Sequence, residues 1–283
     1  MALKLTTNDH SRDVAGLKYV YPVISRRAGG LSIGINFNVN NACNWRCVYC
    51  QVPNLILGSP PDLDLQLLQQ ELSGFLNYVM HGDFYEHFQI ESTNRTIKDI
   101  AISGNGEPTS LKNFDKALSV VGEIALQAGI LGKINYVLIT NGSLIGQEKV
   151  RHALEQFKKF NGQVWFKLDS VTSEGRKTIN HCKGSGNNFL HNLQITASIC
   201  PTWLQTCVLK ISGNAMFEKE KLAYLELLRT LKGSIALQGV LLYTLARPSL
   251  QPEANLIAKP SYEELESFAS AIRAIGFNVQ VSY

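Results

Sequence analysis

Apolar residues fall along the chain in two alternating rhythms. Short, β-rich apolar runs occur at 31–39 (LSIGINFNV), 97–103 (IKDIAIS), 134–140 (INYVLIT), 164–169 (VWFKLD), 204–211 (LQTCVLKI) and 235–243 (IALQGVLLY), and each reads as a strand. Apolar positions recur at helical spacing over 62–81, 114–129, 147–160, 188–199, 219–231 and 261–276. Ser261 followed by Glu264 fits a capping box on the last helix, and FNVQVSY (277–283) reads as a closing strand. Strand–helix alternation with strands this apolar predicts an α/β fold, a parallel sheet covered by helices. Right-handed crossovers curl six such units into a partial (β/α)6 TIM-like barrel with parallel strands. The expected boundaries are an N-terminal extension over 1–30, the barrel over 31–250, and a C-terminal helix and strand packed on it over 251–283.

In such barrels chemistry gathers at the C-terminal ends of the strands, and the unusual residues of this chain fall there. Cys43-x3-Cys47-x2-Cys50 follows the first strand and GNGEPT (104–109) the second. TNGS (140–143) follows the third, Asp169-Ser170 ends the fourth, Ser212-Gly213-Asn214 ends the fifth, and Arg247-Pro248 lies just past the sixth.

Composition narrows the reading only modestly. The 283 residues are 45% hydrophobic and 18% charged, ordinary values with ample material for a core. A net charge of +4 permits an anionic partner without requiring one, and no long run of like charge occurs. MALKLTTNDHSRD has no signal-peptide core, and no apolar run reaches the ~18 residues of a membrane helix; a soluble, cytoplasmic protein without a membrane partner is expected. Six cysteines in such a chain favour metal or catalytic use over disulfides.

A structural zinc site wants four ligands, for which His10, His81 or His87 would supply the fourth. Three thiols on one loop suit a 4Fe-4S cluster better: they bind three irons, and the fourth keeps a position open for a small-molecule ligand. With Tyr49 just before the last cysteine, the loop resembles the signature of the radical S-adenosylmethionine (SAM) enzymes. The resemblance implies that SAM chelates the open iron through its amino and carboxylate groups. One electron from the reduced cluster then cleaves the sulfonium C–S bond, giving methionine and a 5′-deoxyadenosyl radical that abstracts hydrogen from a substrate. It also implies an electron donor such as flavodoxin or ferredoxin, and a cofactor site that includes Tyr49. Gly104, Asn105, Gly106 and Glu107 resemble the family's Gly-Gly-Glu-Pro motif, whose backbone contacts the methionine amino group, with Asn105 replacing the second glycine. The rival dinucleotide fingerprint G-x-G-x-x-G fails at Thr109. Asn141 and Ser143 are candidates for the methionyl carboxylate or ribose. Lys167, Asp169 and Ser170 stand where similar enzymes place ribose contacts, the alternative being that Asp169 caps a helix or ties down a loop. Ser212 and Asn214 have the same choice between ligand and turn residue.

YPVISRRAGGLSIGIN (21–36) resembles the lead-in of a radical SAM subgroup, the wyosine-like Fe–S oxidoreductases, which begins Gly-Pro-Val-Pro-Ser-Arg-Arg-Leu-Gly and runs into the cysteine loop. Pro22, Val23, Ser25, Arg26, Arg27 and Gly29 match; Tyr21, Ile24 and Ala28 do not. The likeness continues through SGNGEPT, TNGSL, KLD and LARP, from about residue 20 to residue 250. The subgroup is related in its core to the enzyme that builds the tricyclic wyosine base on tRNA, which leaves a tRNA base, a peptide or a small metabolite as substrate. Adjacent Arg26 and Arg27 on an extended segment point to opposite faces. One is expected to face the cluster rim and grip a carboxylate or phosphate bidentately, the other to brace the segment against an acid, with two solvated charges as the plain alternative. Arg247 is expected to meet an anionic substrate group or a structural ion pair. Cys182, Cys200 and Cys207 lack the short spacing of a second cluster; Cys207, inside an apolar strand, and Cys200, at a helix end, read as buried thiols. The rival class is a non-catalytic iron–sulfur electron carrier or sensor, which would not bind SAM.

Overall fold

In the computed structural model, which describes residues 4–7, 12–182, 188–212 and 215–283, β1 (Val20–Ser25) leads into six strands where the six apolar runs stand. These are β2 (Gly30–Ile35), β3 (Ile97–Ile102), β4 (Asn135–Thr140), β5 (Gly162–Lys167), β6 (Thr202–Cys207) and β7 (Leu237–Tyr243), followed by β8 (Val279–Ser282). The eight-stranded sheet follows chain order, with β1 antiparallel to β2 and every other neighbouring pair parallel. Helices α1 (Leu65–His81), α2 (Phe114–Gln127) and α3 (Glu148–Lys159) fill the first three crossovers. The β5–β6 crossover carries α4 (Ser173–Asn180) and α5 (Asn188–Ile199), and α6 (Ala215–Leu231) and α7 (Tyr262–Ile275) fill the last two. The result is the expected α/β partial barrel.

Strand residues sort by period 2. Ile33, Ile35, Ile100, Ile102, Leu138, Phe166, Leu204 and Leu242 face outward and share one core with Leu72, Leu118, Leu154, Leu228 and Phe268 of the helices. The alternate residues Ala101, Val137, Trp165 and Leu241 make a smaller apolar cluster with Ile139 and Trp203 inside the barrel. Burial on both faces is why these strands read as continuous apolar runs. The capping box of α7 forms as its sequence suggests: Glu264 N donates to Ser261 Oγ at 3.2 Å, and Ser261 N to Glu264 Oε2 at 2.7 Å.

Two elements escaped the pattern. β1 holds Pro22 opposite Ile33; proline lacks the N–H a central strand needs, and an edge strand with one free side tolerates it. α4 buries Gly175, Arg176, Ile179 and Asn180, a mostly polar face with no apolar stripe. Its start is fixed by Thr172, whose Oγ1 accepts from Gly175 N at 2.9 Å.

At the open side of the barrel, Arg26 donates to the backbone carbonyl of Tyr283, linking the β1–β2 turn to the far edge of the sheet. Among the described residues, no helix is long and apolar enough to cross a membrane.

Phe157, fully buried on α3 with its ring centroid 4.5 Å from that of Tyr136, joins helix layer to sheet. Phe157→Ala is expected to lower unfolding free energy by about 3–5 kcal/mol, read by urea titration; a loss below about 1 kcal/mol would deny it that role.

Candidate functional site

The chain leaves β2 through INFNVNNACN, residues 35–44, with five asparagines before and beside the first cysteine. Their side chains shape the turn. Asn36 Oδ1 accepts from the backbone N–H groups of Asn38 and Asn105, both at 3.0 Å, and Asn38 Nδ2 donates to the Ala42 carbonyl at 2.8 Å. Ala42–Cys43 then pairs with Ile56–Leu57, which closes the base of the cysteine loop. The 104–107 segment packs against this turn so tightly that only glycine fits. A Cβ on Gly104 would lie 2.2 Å from Asn36 Oδ1, and one on Gly106 would lie 2.0 Å from the Ala42 carbonyl oxygen. Asn105 donates to Asn41 Oδ1 at 2.6 Å, so the departure from a glycine pair adds a tie to the loop.

Two buried carboxylates hold the loop from either side. Glu107, 2% exposed, accepts from Thr109 N at 3.2 Å, from Thr109 Oγ1 and Thr140 Oγ1 at 2.5 Å each, and from Asn141 N at 2.7 Å. Burial raises its pKa, while these donors work to lower it. Glu107 thereby joins the β3 and β4 loops. Asn141 Nδ2 reaches Asn44 Oδ1 at 2.8 Å, Asn44 Nδ2 reaches Ser143 Oγ at 2.8 Å, and Ser143 Oγ donates back to Asn141 Oδ1 at 2.6 Å.

On the other side Asp169 accepts from Tyr49 OH, from Asn180 Nδ2 at 2.8 Å and from Cys207 N at 2.9 Å, with Lys167 Nζ 3.8 Å away. Lys167 itself donates to Tyr49 OH at 2.6 Å and to Tyr243 OH at 3.3 Å. Asn180 Nδ2 also lies 3.2 Å from Cys47 Sγ, and Val48 N donates to the Ile179 carbonyl at 2.8 Å, so the end of α4 docks on the loop. Ser170 turns away and donates to Glu220 of α6.

The segment after β7 covers the remaining flank. Ser249 Oγ donates to the Val48 carbonyl at 2.6 Å and Leu250 N to the Cys50 carbonyl at 3.0 Å. Arg247 and Gln51 exchange hydrogen bonds. Arg46 grips Glu253 through two contacts of 2.7 Å, and His181 lies 3.4 Å from the same carboxylate.

These ties set Cys43, Cys47 and Cys50 around one cavity of about 1030 Å³, also lined by Gly104, Asn105, Gly106, Glu107, Asn141, Tyr49, Arg26, Arg27, Lys167 and Arg247. Ser143, Asp169 and Ser170 do not line it, and Asn214 lies outside the described residues. Ser212 is exposed with φ of 44°. Arg26 and Arg27 stand in the β1–β2 turn rather than on an extended segment, and both line the cavity from the start of β2, opposite the end that leads to the cysteines. All three cysteines are free thiols. Burial raises the Cys43 thiol to about 11 and the Cys47 thiol to about 12.

Among the described residues no three His, Cys, Asp or Glu side chains converge as on a single ion. His81 and His87 do not line the cavity and His10 lies outside the described residues, which leaves the zinc reading without a fourth ligand here. Three thiols that share a cavity without meeting at one point suit the separate corners of a cluster. Cys200 and Cys207 are buried, and Cys182 donates to the Arg176 carbonyl at 3.5 Å.

The sequence matches the Radical SAM superfamily over residues 37–219. The chain belongs to the radical SAM superfamily. Members use a 4Fe-4S cluster and S-adenosylmethionine. Among curated relatives, a UPF0026 protein of Methanocaldococcus jannaschii is 31% identical over 167 residues, 56% of this chain and 42% of that protein. A protein named GTPase Obg from Brachyspira hyodysenteriae is 30% identical over 133 residues, 47% of this chain and 17% of that protein. The chain thus spans less than half the length of these relatives. Among solved structures, a radical SAM methyltransferase from Sphaerobacter thermophilus has TM-score 0.60 at 16% identity, covering 90% of this chain and 66% of that one. TYW1 with a lysine–pyruvate adduct bound has TM-score 0.58 at 14% identity, covering 86% and 73%. These likenesses are of the radical SAM fold.

Asn36, Asn38, Asn44 and Asn180 were not among the site residues expected from sequence. The asparagine density of 35–44 was the available signal for the first three; nothing local marks Asn180.

The Arg46–Glu253 pair yields an acid-limb prediction. Its hydrogen bonds with Arg46 depress the Glu253 carboxyl to about 2, below the usual carboxylate range. The stability it adds is present above pH 4.5 and is lost as pH falls toward 2. Glu253→Gln should flatten that part of the stability profile, measured by urea unfolding at stepped pH; an unaltered profile would show the pair contributes nothing. Gly106→Ala should shift the cysteine loop and cost roughly 1–3 kcal/mol, with iron uptake on reconstitution falling severalfold; full uptake would show that the loop yields easily.

Proposed function

We propose that this chain is a radical SAM enzyme in which Cys43, Cys47 and Cys50 hold the 4Fe-4S cluster, and that it belongs to the wyosine-like subgroup. The observation that carries the reading is three free thiols on one loop, turned into one cavity at the C-terminal ends of the strands. When bound, the cluster and SAM supply one-electron cleavage of the sulfonium bond into methionine and a 5′-deoxyadenosyl radical that takes hydrogen from the substrate.

The chain's own residues bind, orient and exclude water. Asn180 Nδ2 beside Cys47 Sγ and the Trp45 N–H, 3.5 Å from Cys43 Sγ, are donors to ligand sulfurs, a recognised control on reduction potential. Gly104, Asn105, Gly106 and Glu107, with Asn141, form the cavity wall next to the loop, suited to the amino-acid end of SAM. Asp169 fits the loop-tying role better than the ribose role, since both its oxygens already accept from the chain. Ser143 and Ser170 act behind the wall. Trp165, Ile139 and Tyr243 give the lumen apolar faces that exclude water from a radical. A one-electron donor such as flavodoxin or ferredoxin would complete the system.

The test is anaerobic reconstitution with iron and sulfide, reduction with dithionite, addition of SAM, and assay of 5′-deoxyadenosine. The expected result is its formation, and its fall to background with loss of cluster absorbance in Cys47→Ala. Full cleavage by that variant would overturn the ligand assignment. Iron uptake without SAM binding would make the protein an electron carrier.

A further inference from the structure

The lumen beyond the cysteine loop holds polar groups that the cluster and SAM do not explain. Gln205, on β6 and 1% exposed, lines the cavity, and its Nε2 is buried without a hydrogen-bond partner among the described residues. A buried amide donor left unpaired is costly and rare in a native fold. Arg27 enters the same cavity from the β1–β2 turn. Its guanidinium lies 5.6 Å from the ring centroid of Trp165 and 5.1 Å from that of Tyr243. Trp165 stands on β5 and Tyr243 on β7, the two strands that flank β6, so Arg27 reaches across the strand that carries Gln205. The rings hold the guanidinium by their faces, and among the described residues no hydrogen bond or ion pair takes up its fork.

We propose that Arg27 and Gln205 form a subsite for the carboxylate of a small organic acid substrate, with Trp165 and Tyr243 flanking its carbon frame. This rests on the radical SAM reading only for the reaction, since neither residue belongs to the cysteine loop. The donor set matches a planar pair of oxygens: a forked guanidinium and an amide N–H group. Arg12, Lys18, Arg26 and Arg247 line the same cavity, so the preference for a monoanion is local to Arg27 and Gln205. Lys167 is matched by Asp169 at 3.8 Å, which leaves Arg27 to face the ligand. Asp99, hydrogen-bonded by Ser32, lines the same cavity within the electrostatic reach of Arg27 and offsets part of its charge, which disfavours a doubly charged ligand such as phosphate.

Benzoate, one carboxylate on a flat ring, is the probe, titrated into the reconstituted protein by calorimetry with benzamide and inorganic phosphate as comparators. Benzoate should bind, and benzamide at least about tenfold more weakly. Arg27→Ala and Gln205→Leu should each lose about tenfold in benzoate affinity with an unchanged thermal midpoint. Arg27→Lys, which keeps the charge and loses the fork, and Gln205→Glu, which replaces the donor with an acceptor, should also weaken binding and serve if either first variant fails to fold. No benzoate binding, equal binding by the variants, or tighter binding of phosphate would overturn the subsite. Cys47→Ala should retain benzoate binding, so failure of the cluster assignment and failure of the subsite read out separately.

Discussion

Everything at the strand ends depends on one buried carboxylate that is never left unpaired. Asp169 has no exposed side-chain surface and sits where β5 ends, yet its partners come from the cysteine loop, α4, β6 and Lys167. Taking such a group out of water costs several kcal/mol on the general scale, recovered only when its oxygens are fully satisfied. Tyr49, Asn180 and the Cys207 N–H meet that condition together, and each is thereby fixed. The rotamer of Tyr49 orients the residues on either side of it, Cys47 to Cys50. Glu107 acts from the end of β3 at one remove: it fixes Asn141, whose side chain reaches Asn44 beside the first cysteine, so the loop is tied to two buried carboxylates.

That arrangement explains which parts of the molecule a sequence can announce. The apolar runs were legible because strands buried on both faces leave no choice of register or side. The cysteines were legible because the cluster chemistry proposed for them needs close spacing along the chain. Their supports were not, because they act through contacts between distant residues: Asn44 meets Ser143 across a separation of 99, and Tyr49 meets Asp169 across 120. Single asparagines or aspartates at strand ends look like turn residues wherever they fall. For Asp169 the sequence left ribose contact and loop tie both open, and the hydrogen bonds favour the tie. The arginine pair was read as an extended segment with its side chains on opposite faces; it stands in the β1–β2 turn with both arginines lining the cavity, a placement that depends on how far the sheet curls, which no local pattern encodes.

The curl connects the open edge of the barrel to its interior. Arg26 reaches the Tyr283 carbonyl because the sheet bends far enough to bring the β1–β2 turn toward the end of β8. The next residue, Arg27, is then carried into the lumen over Trp165 and Tyr243. The dipeptide thus links the two edges with one side chain and charges the cavity with the other. Tyr21 narrows the same space from the β1 side. Its ring lies over Gly34, where a Cβ would meet it at 2.1 Å, and its hydroxyl is 3.0 Å from Ser103 Oγ. A tyrosine on β1 therefore requires glycine on β2. The pair fills the lumen beside β3, which directs a bound molecule toward β5, β6 and β7, the wall where the unpaired donor of Gln205 stands.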